Sequence, residues 1–250
     1  MDACAVNGFF SSVQLDKYSA AAPKRRSVRS FVGDPDIQQM SALHYAAARL
    51  ALPGVRIALG EAPAGDLYRR LPLVETIHGT RRYAAIIADE EIPHAAIHAG
   101  ISGEAFLLEA VSLGLGTCWV AAFKRGGVNV PIEEGEKIKA LIAVGAPAGE
   151  GGPRKRKKLT EICSSDPSDW PLWAYNAAEC VRIAPSAVNL QPWRLSFAGR
   201  TLMLSSARPN ANLDMGIAIL HMTLGAKDKP HILRWGEGKE LAALIAEDRL

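Results

Sequence analysis

Apolar residues recur at spacings of three and four through residues 36–52, where Ile37, Met40, Leu43, Ala47 and Leu50 share one face. That spacing predicts an amphipathic helix. Residues 101–113 are apolar almost all round and stop at Gly114, which predicts a buried helix. Short apolar runs at 56–60, 83–89, 117–123 and 139–144 predict strands. Residues 145–153 hold four glycines and two prolines and predict a loop. Further on, Trp173, Ala177, Cys180 and Ala184 lie on one helical face, and Pro185 stops that helix because the residue before a proline is pushed out of the α region. Residues 193–197 and 201–204 alternate around Gly199 as a hairpin. Residues 215–226 predict another apolar helix, and 239–247 a short amphipathic one. The first 23 residues are weakly patterned and predict an arm or a lead-in helix.

Two stretches of this pattern repeat. The helix around Ala46 matches the helix around Ala177 in residue type, and Gly103-Glu104-Ala105-Phe106-Leu107 matches Gly216-Ile217-Ala218-Ile219-Leu220. Shorter loops in the second part would absorb the difference in offset. The expectation is an α+β protein of two similar halves, 1–165 and 166–250, resembling a dimer written into one chain.

Composition narrows the class of protein without naming an activity. An apolar fraction of 48% with 22% charged residues is ordinary for a soluble globular chain. The net charge of +3 is too slight to imply a nucleic-acid or membrane partner. No uninterrupted apolar run approaches the roughly 18 residues of a bilayer span, and residues 1–10 lack the basic start and apolar stretch of a signal peptide. Cys4, Cys118, Cys163 and Cys180 form no CxxC pair, so a reducing, cytoplasmic location is expected. No metal-ligand spacing, Ser-His-Asp, Cys-His or paired-carboxylate arrangement stands out.

Four segments carry candidate chemistry. In Lys24-Arg25-Arg26-Ser27-Val28-Arg29, an extended backbone points Arg25, Ser27 and Arg29 to one side. Two guanidinium forks and a hydroxyl suit a phosphate, although a solvated basic cluster has the same pattern. Residues 154–158 are all basic; a solvated loop is the plain reading, and one run without interleaved aromatics is poor support for nucleic-acid binding. Gly114-Leu115-Gly116 joins a helix to a strand, which serves a helix cap or a close backbone approach to a ligand. It is no dinucleotide fingerprint, since that motif follows a strand and opens a helix. Pro185-Ser186-Ala187-Val188-Asn189-Leu190-Gln191-Pro192-Trp193 is a polar helix end that leads into a strand.

In this order, RRSVRSF, GEAFLLEAVSLGLGTCWV, the basic run, PSAVNLQPWRL and DMGIAILHMTLGA resemble the FMN-dependent nitroreductase family, and in particular a branch with two halves fused in one chain. The resemblance implies a nitroreductase-like fold and a flavin cofactor, FMN. It assigns the phosphate and ribityl chain to the segment of Arg25, Arg26, Ser27 and Arg29, with Arg154 and Arg156 also at the phosphate. It lays backbone at Trp119, Val120, Ala121 and Ala122 beside the isoalloxazine, and it brings Pro185, Ser186, Ala187 and Asn189 over the flavin. Ordinary members carry the Pro-Ser-x-x-Asn motif soon after the arginine motif. Here residues 52–56 read Leu-Pro-Gly-Val-Arg at that place, and the second half has no arginine motif. One FMN per chain, at the interface of the halves, is therefore expected, and the fusion would allow the chain to act as a monomer. The resemblance further implies NADH or NADPH as electron donor and a nitroaromatic or quinone-like acceptor, reduced in a ping-pong cycle without a catalytic side chain. A related flavoenzyme (dehalogenating or flavin-consuming) and a non-catalytic FMN binder stay open as alternatives. The residues covering the substrate face are expected within 63–80.

Overall fold

The computed structural model describes residues 6–62, 67–68, 76–149, 151–152, 155–236 and 240–247. Along the chain run α1 (Ser12–Ala21), β1 (Phe31–Gly33), α2 (Ile37–Arg49), β2 (Val55–Glu61), β3 (Arg82–Asp89), α3 (Ala95–Ser112), β4 (Gly116–Val120) and β5 (Glu136–Pro147). The short α4 (Leu159–Ile162) precedes α5 (Leu172–Ile183), β6 (Trp193–Ala198), β7 (Thr201–Ser206), α6 (Asn212–Gly225), β8 (His231–Trp235) and β9 (Glu240–Ala246). No described helix is long and apolar enough to cross a membrane.

Two compact units result, 24–154 and 1–23 together with 155–250. Lys155 to Lys158 of the basic run fall in the unit that holds 155–250. The cause is local, since Arg156 and Lys157 bond to the loop after α5.

In unit 24–154 every strand pairing is antiparallel. β3 pairs β2 on one side and β5 on the other, and β5 also pairs β4 and β1. Tyr83 to Ala88 on β3 are buried without alternation, as expected of a strand covered on both faces. One face holds a cluster of Val28, Phe31, Tyr83, Ala85, Ile87, Cys118, Val120, Leu141 and Ala143. α3 lies against β2, β3, β4 and β5. An added Cβ on its Gly103 would stand 2.2 Å from Cη2 of Trp119, so only glycine lets that indole pack there. α2 opens with a capping box between Asp36 and Gln39. It buries Leu43, Ala46 and Ala47, whereas Ile37, expected on the same face, is exposed.

In the other unit α5 and α6 pack closely. Gly225 permits this, because a Cβ there would fall 2.4 Å from the Asn176 carbonyl oxygen. The sheet order is β6-β7-β9-β8, again all antiparallel. α1 belongs to this unit, with Ser19 donating to the Leu224 carbonyl and Lys227 paired with Asp16. The amphipathic helix expected over 239–247 is instead strand β9. Leu241, Leu244 and Ile245 have helical spacing, but β9 bonds to β7 on one side and β8 on the other, and this ladder overrides local preference.

Element by element, α2-β2-β3-α3-β4-β5 and α5-β6-β7-α6-β8-β9 have one order, and the sheets read β2-β3-β5-β4 and β6-β7-β9-β8. The α+β class expected from the sequence is the class observed.

Candidate functional site

Residues 24–30 run extended along β4. Ser27 bridges Thr117 in parallel, and the Val28 N–H donates to the Thr117 carbonyl at 2.9 Å. On the other side of the segment, the His78 N–H donates to the Arg29 carbonyl at 2.9 Å. Val28 enters the apolar cluster, which turns Ser27 and Arg29 to the opposite side of the segment. Arg26 folds back and donates from Nη1 to the Arg25 carbonyl at 3.0 Å, while Arg29 reaches the Ser27 carbonyl at only 3.5 Å.

Arg25 differs from both. It is 2% exposed, and its Nε and Nη1 are buried with no hydrogen-bond acceptor. Burial pushes its pKa down, and Glu104 is the largest influence in the opposite direction. Buried guanidinium N–H groups without an acceptor are costly. An oxyanion would supply an acceptor.

Beside this segment lies the α3–β4 turn. Gly114 adopts a φ of +80°, and the Leu115 N–H closes the helix on the Ala110 carbonyl at 3.0 Å. Thr117 and Trp119 share one face of β4, while Cys118 and Val120 enter the apolar cluster on the other. The Thr117 hydroxyl is buried without a partner. Trp119 donates from Nε1 to Oε2 of Glu104 at 2.8 Å, and Glu104 is wholly buried within α3. Ala121 is exposed and Ala122 half-buried after the strand ends. Sequence reasoning missed Glu104 and Thr117. A carboxylate in the middle of an otherwise apolar, buried helix was the available signal.

In the other unit the basic run and the Pro185–Asn189 segment come together. Arg156 donates from Nη1 to Oδ1 of Asn189 and from Nη2 to the Ile183 carbonyl at 3.2 Å. Asn189 donates from Nδ2 to the Lys155 carbonyl at 3.0 Å. Lys157 donates from Nζ to the carbonyls of Leu190 and Gln191, both at 3.0 Å. The Gln191 N–H donates to the Ser186 hydroxyl at 2.8 Å, and the Ala187 N–H to Oδ1 of Asp214 at 2.9 Å. Pro185 is buried, while Ala187, Val188 and Asn189 are exposed. These bonds hold an uncommon backbone: Val188, Asn189 and Gln191 have φ of 42°, 58° and 50°. Such geometry costs on the order of 1–3 kcal/mol per residue and persists only where surroundings enforce it. Arg154 lies outside the described residues, as do 63–66 and 69–75 of the expected substrate face.

The sequence profile of the family described as "Putative TM nitroreductase" matches residues 19–226. No curated protein matches the chain significantly. Among solved structures, one described as a putative nitroreductase from Thermotoga maritima is similar with a TM-score of 0.65 at 23% identity, covering 92% of this chain and 93% of that one. A nitroreductase with bound FMN from Bacteroides fragilis has a TM-score of 0.43 at 18% identity, covering 56% of this chain and 93% of its own.

Proposed function

The chain belongs to the family described as "Putative TM nitroreductase", and on that premise we propose that it is an FMN-dependent oxidoreductase using NADH or NADPH to reduce a nitroaromatic or quinone-like acceptor. The observation that carries this reading is the Arg25 guanidinium, buried and without an acceptor at Nε and Nη1. Its charge and unfilled donors suit the phosphate of FMN.

Bound FMN would supply the electron transfer, and the protein position, charge and exclusion of water. Arg25 neutralises the phosphate. Ser27 and Arg29 offer a hydroxyl and a cation on the same flank of the extended segment, and Arg29 serves the pyrimidine end, where a cation stabilises negative charge. Backbone from Trp119 to Ala122 lines the ring. In the other unit, bonds from Arg156, Lys157 and Asp214 enforce the shape of the loop that holds Pro185, Ser186, Ala187 and Asn189.

We further propose that the two units arose by duplication, and that the chain binds one FMN. The shared element order and strand order support the duplication. The single FMN follows from content, because the arginine segment and the Pro-Ser-Ala-x-Asn loop each occur once. Anaerobic mixing of FMN-loaded protein with NADH and with NADPH tests the activity. Loss of the flavin absorbance band, and its return on adding a nitroaromatic or quinone over many cycles, is the expected result. Failure of both donors to bleach the flavin removes the assignment, and a single turnover without recycling leaves a flavin binder.

A further inference from the structure

Thr117 is wholly buried on β4, and its hydroxyl has no hydrogen-bond partner. A hydroxyl can donate one hydrogen bond and accept two, and an interior hydroxyl that makes none costs more than an apolar group of the same size. Its neighbour is Ser27, the partner of Thr117 in the parallel bridge. Paired residues of adjacent extended segments project to the same side. Val28 and Cys118 enter the apolar cluster, so Ser27 and Thr117 both turn the other way. Ser27 is half-buried, and the two hydroxyls therefore run from the interior toward the surface. The backbone that carries them is held on both edges. The Val28 N–H donates to the Thr117 carbonyl at 2.9 Å, and the His78 N–H donates to the Arg29 carbonyl at 2.9 Å. Gly116 lets the segment lie this close, because a Cβ there would stand 3.0 Å from Cγ1 of Val28. An inner hydroxyl that is fixed in place and lacks a partner calls for an oxygen from outside the protein.

We propose that Thr117 is a further ligand-binding residue, whose hydroxyl, beside that of Ser27, holds an oxygen of the ribityl phosphate tail of FMN. The inference rests on the reading that the arginine segment holds that tail. Ribityl hydroxyls and phosphoryl oxygens offer Thr117 the same chemistry, since both accept a hydrogen bond. Thr117 brings no charge, so its part is direction and discrimination. A buried group built to bond an oxygen disfavours a ligand that lacks it, because the group is then left unpaired. A flavin ring without the tail therefore gains nothing from Thr117. A hydroxyl that served only the fold would instead lower stability when removed and leave the choice between ligands unchanged.

The test uses the full chain, freed of ligand, as wild type, Thr117→Val and Thr117→Ser, with Thr117→Ala in reserve should the valine variant not fold. Valine has the shape of threonine without the hydroxyl. Ligand-free Thr117→Val is expected to melt no lower than wild type, because no bond within the protein is lost. Its affinity for FMN, followed by quenching of flavin fluorescence, is expected to fall about tenfold, while Thr117→Ser stays within a few-fold of wild type. Lumiflavin, the ring without the tail, binds wild type and Thr117→Val alike. Riboflavin and inorganic phosphate tell which oxygen is held. A loss seen with riboflavin and absent with phosphate marks a ribityl hydroxyl, and the converse marks a phosphoryl oxygen. Unchanged affinity for FMN, riboflavin and phosphate marks a hydroxyl that meets only water and overturns the proposal. A lowered ligand-free midpoint, or lumiflavin weakened by the same factor as FMN, marks a role in the fold and overturns it as well. Should wild type bind phosphate but no flavin, the cofactor assignment fails while the phosphate series still decides the role of Thr117. Should it bind none of them, both fall.

Discussion

Arg25 carries two buried donors, Nε and Nη1, that have no acceptor. Charge-assisted hydrogen bonds to a phosphate worth about 3 kcal/mol would be lost in Arg25→Met, which is expected to cost roughly two orders of magnitude in FMN affinity, measured by flavin titration. A second residue-scale expectation concerns Cys163, whose thiol is pushed up to about 11 by burial, with Glu179 and Asp166 adding to it. At pH 8 its alkylation in the folded protein is expected to be roughly a hundredfold slower than that of an unstructured cysteine, a difference that mass spectrometry after timed iodoacetamide treatment would reveal. That Ser27 and Arg29 lie opposite Val28 could be read from the sequence, because extended geometry dictates it. The burial of Arg25 could not, since it depends on packing from elsewhere in the fold. Nor could the left-handed Val188: a β-branched residue disfavours that conformation, so its presence reflects the surrounding bonds and not its own preference.

At the scale of elements, close packing of α5 on α6 depends on one missing methyl group. Gly225→Ala would put a Cβ 2.4 Å from the Asn176 oxygen and 2.5 Å from Cα of Ala177, both backbone atoms. Overpacking of this kind costs typically 1–3 kcal/mol, and a lowered midpoint in urea is the expected readout. The loop before β6 depends on Asp214 in the first turn of α6. Burial raises its pKa, opposed in part by the bond from the Ala187 N–H. The folded protein thus holds this proton more tightly than the unfolded chain does. The stability this confers is complete below the ordinary aspartate range and is lost as pH rises through the raised value. Asp214→Asn keeps an acceptor for Ala187 and carries no charge. Denaturation series at acid and neutral pH are expected to show the variant gaining on wild type as pH rises, with the advantage vanishing in acid. Helices α2, α3, α5 and α6 were legible because burial imposed a period or an apolar run on each. β9 was not, because its pairing on both edges is a long-range property absent from any local window, and β8 was overlooked beside it.

For the whole molecule, the sequence shows the motifs and their order, but the assignment of residues 1–23 to the later unit rests on contacts such as Ser19 with Leu224, which bridge 205 positions. The order α-ββ-α-ββ recurs, yet the motifs of the two units differ. Unit 24–154 carries the arginine segment and a tight turn at Pro53-Gly54, with no Pro-Ser-x-x-Asn motif there; the other unit carries the strained Pro185–Gln191 loop and no Arg-Arg-Ser-x-Arg motif. A symmetric pair of sites would need both devices twice. Purified protein is therefore expected to hold one flavin per chain by absorbance, and two equivalents would refute the single-site reading. The variants sharpen the distinction. With two independent sites, Arg25→Ala would empty one and leave half the flavin. With one site, Arg25→Ala removes the whole signal at a concentration that saturates wild type.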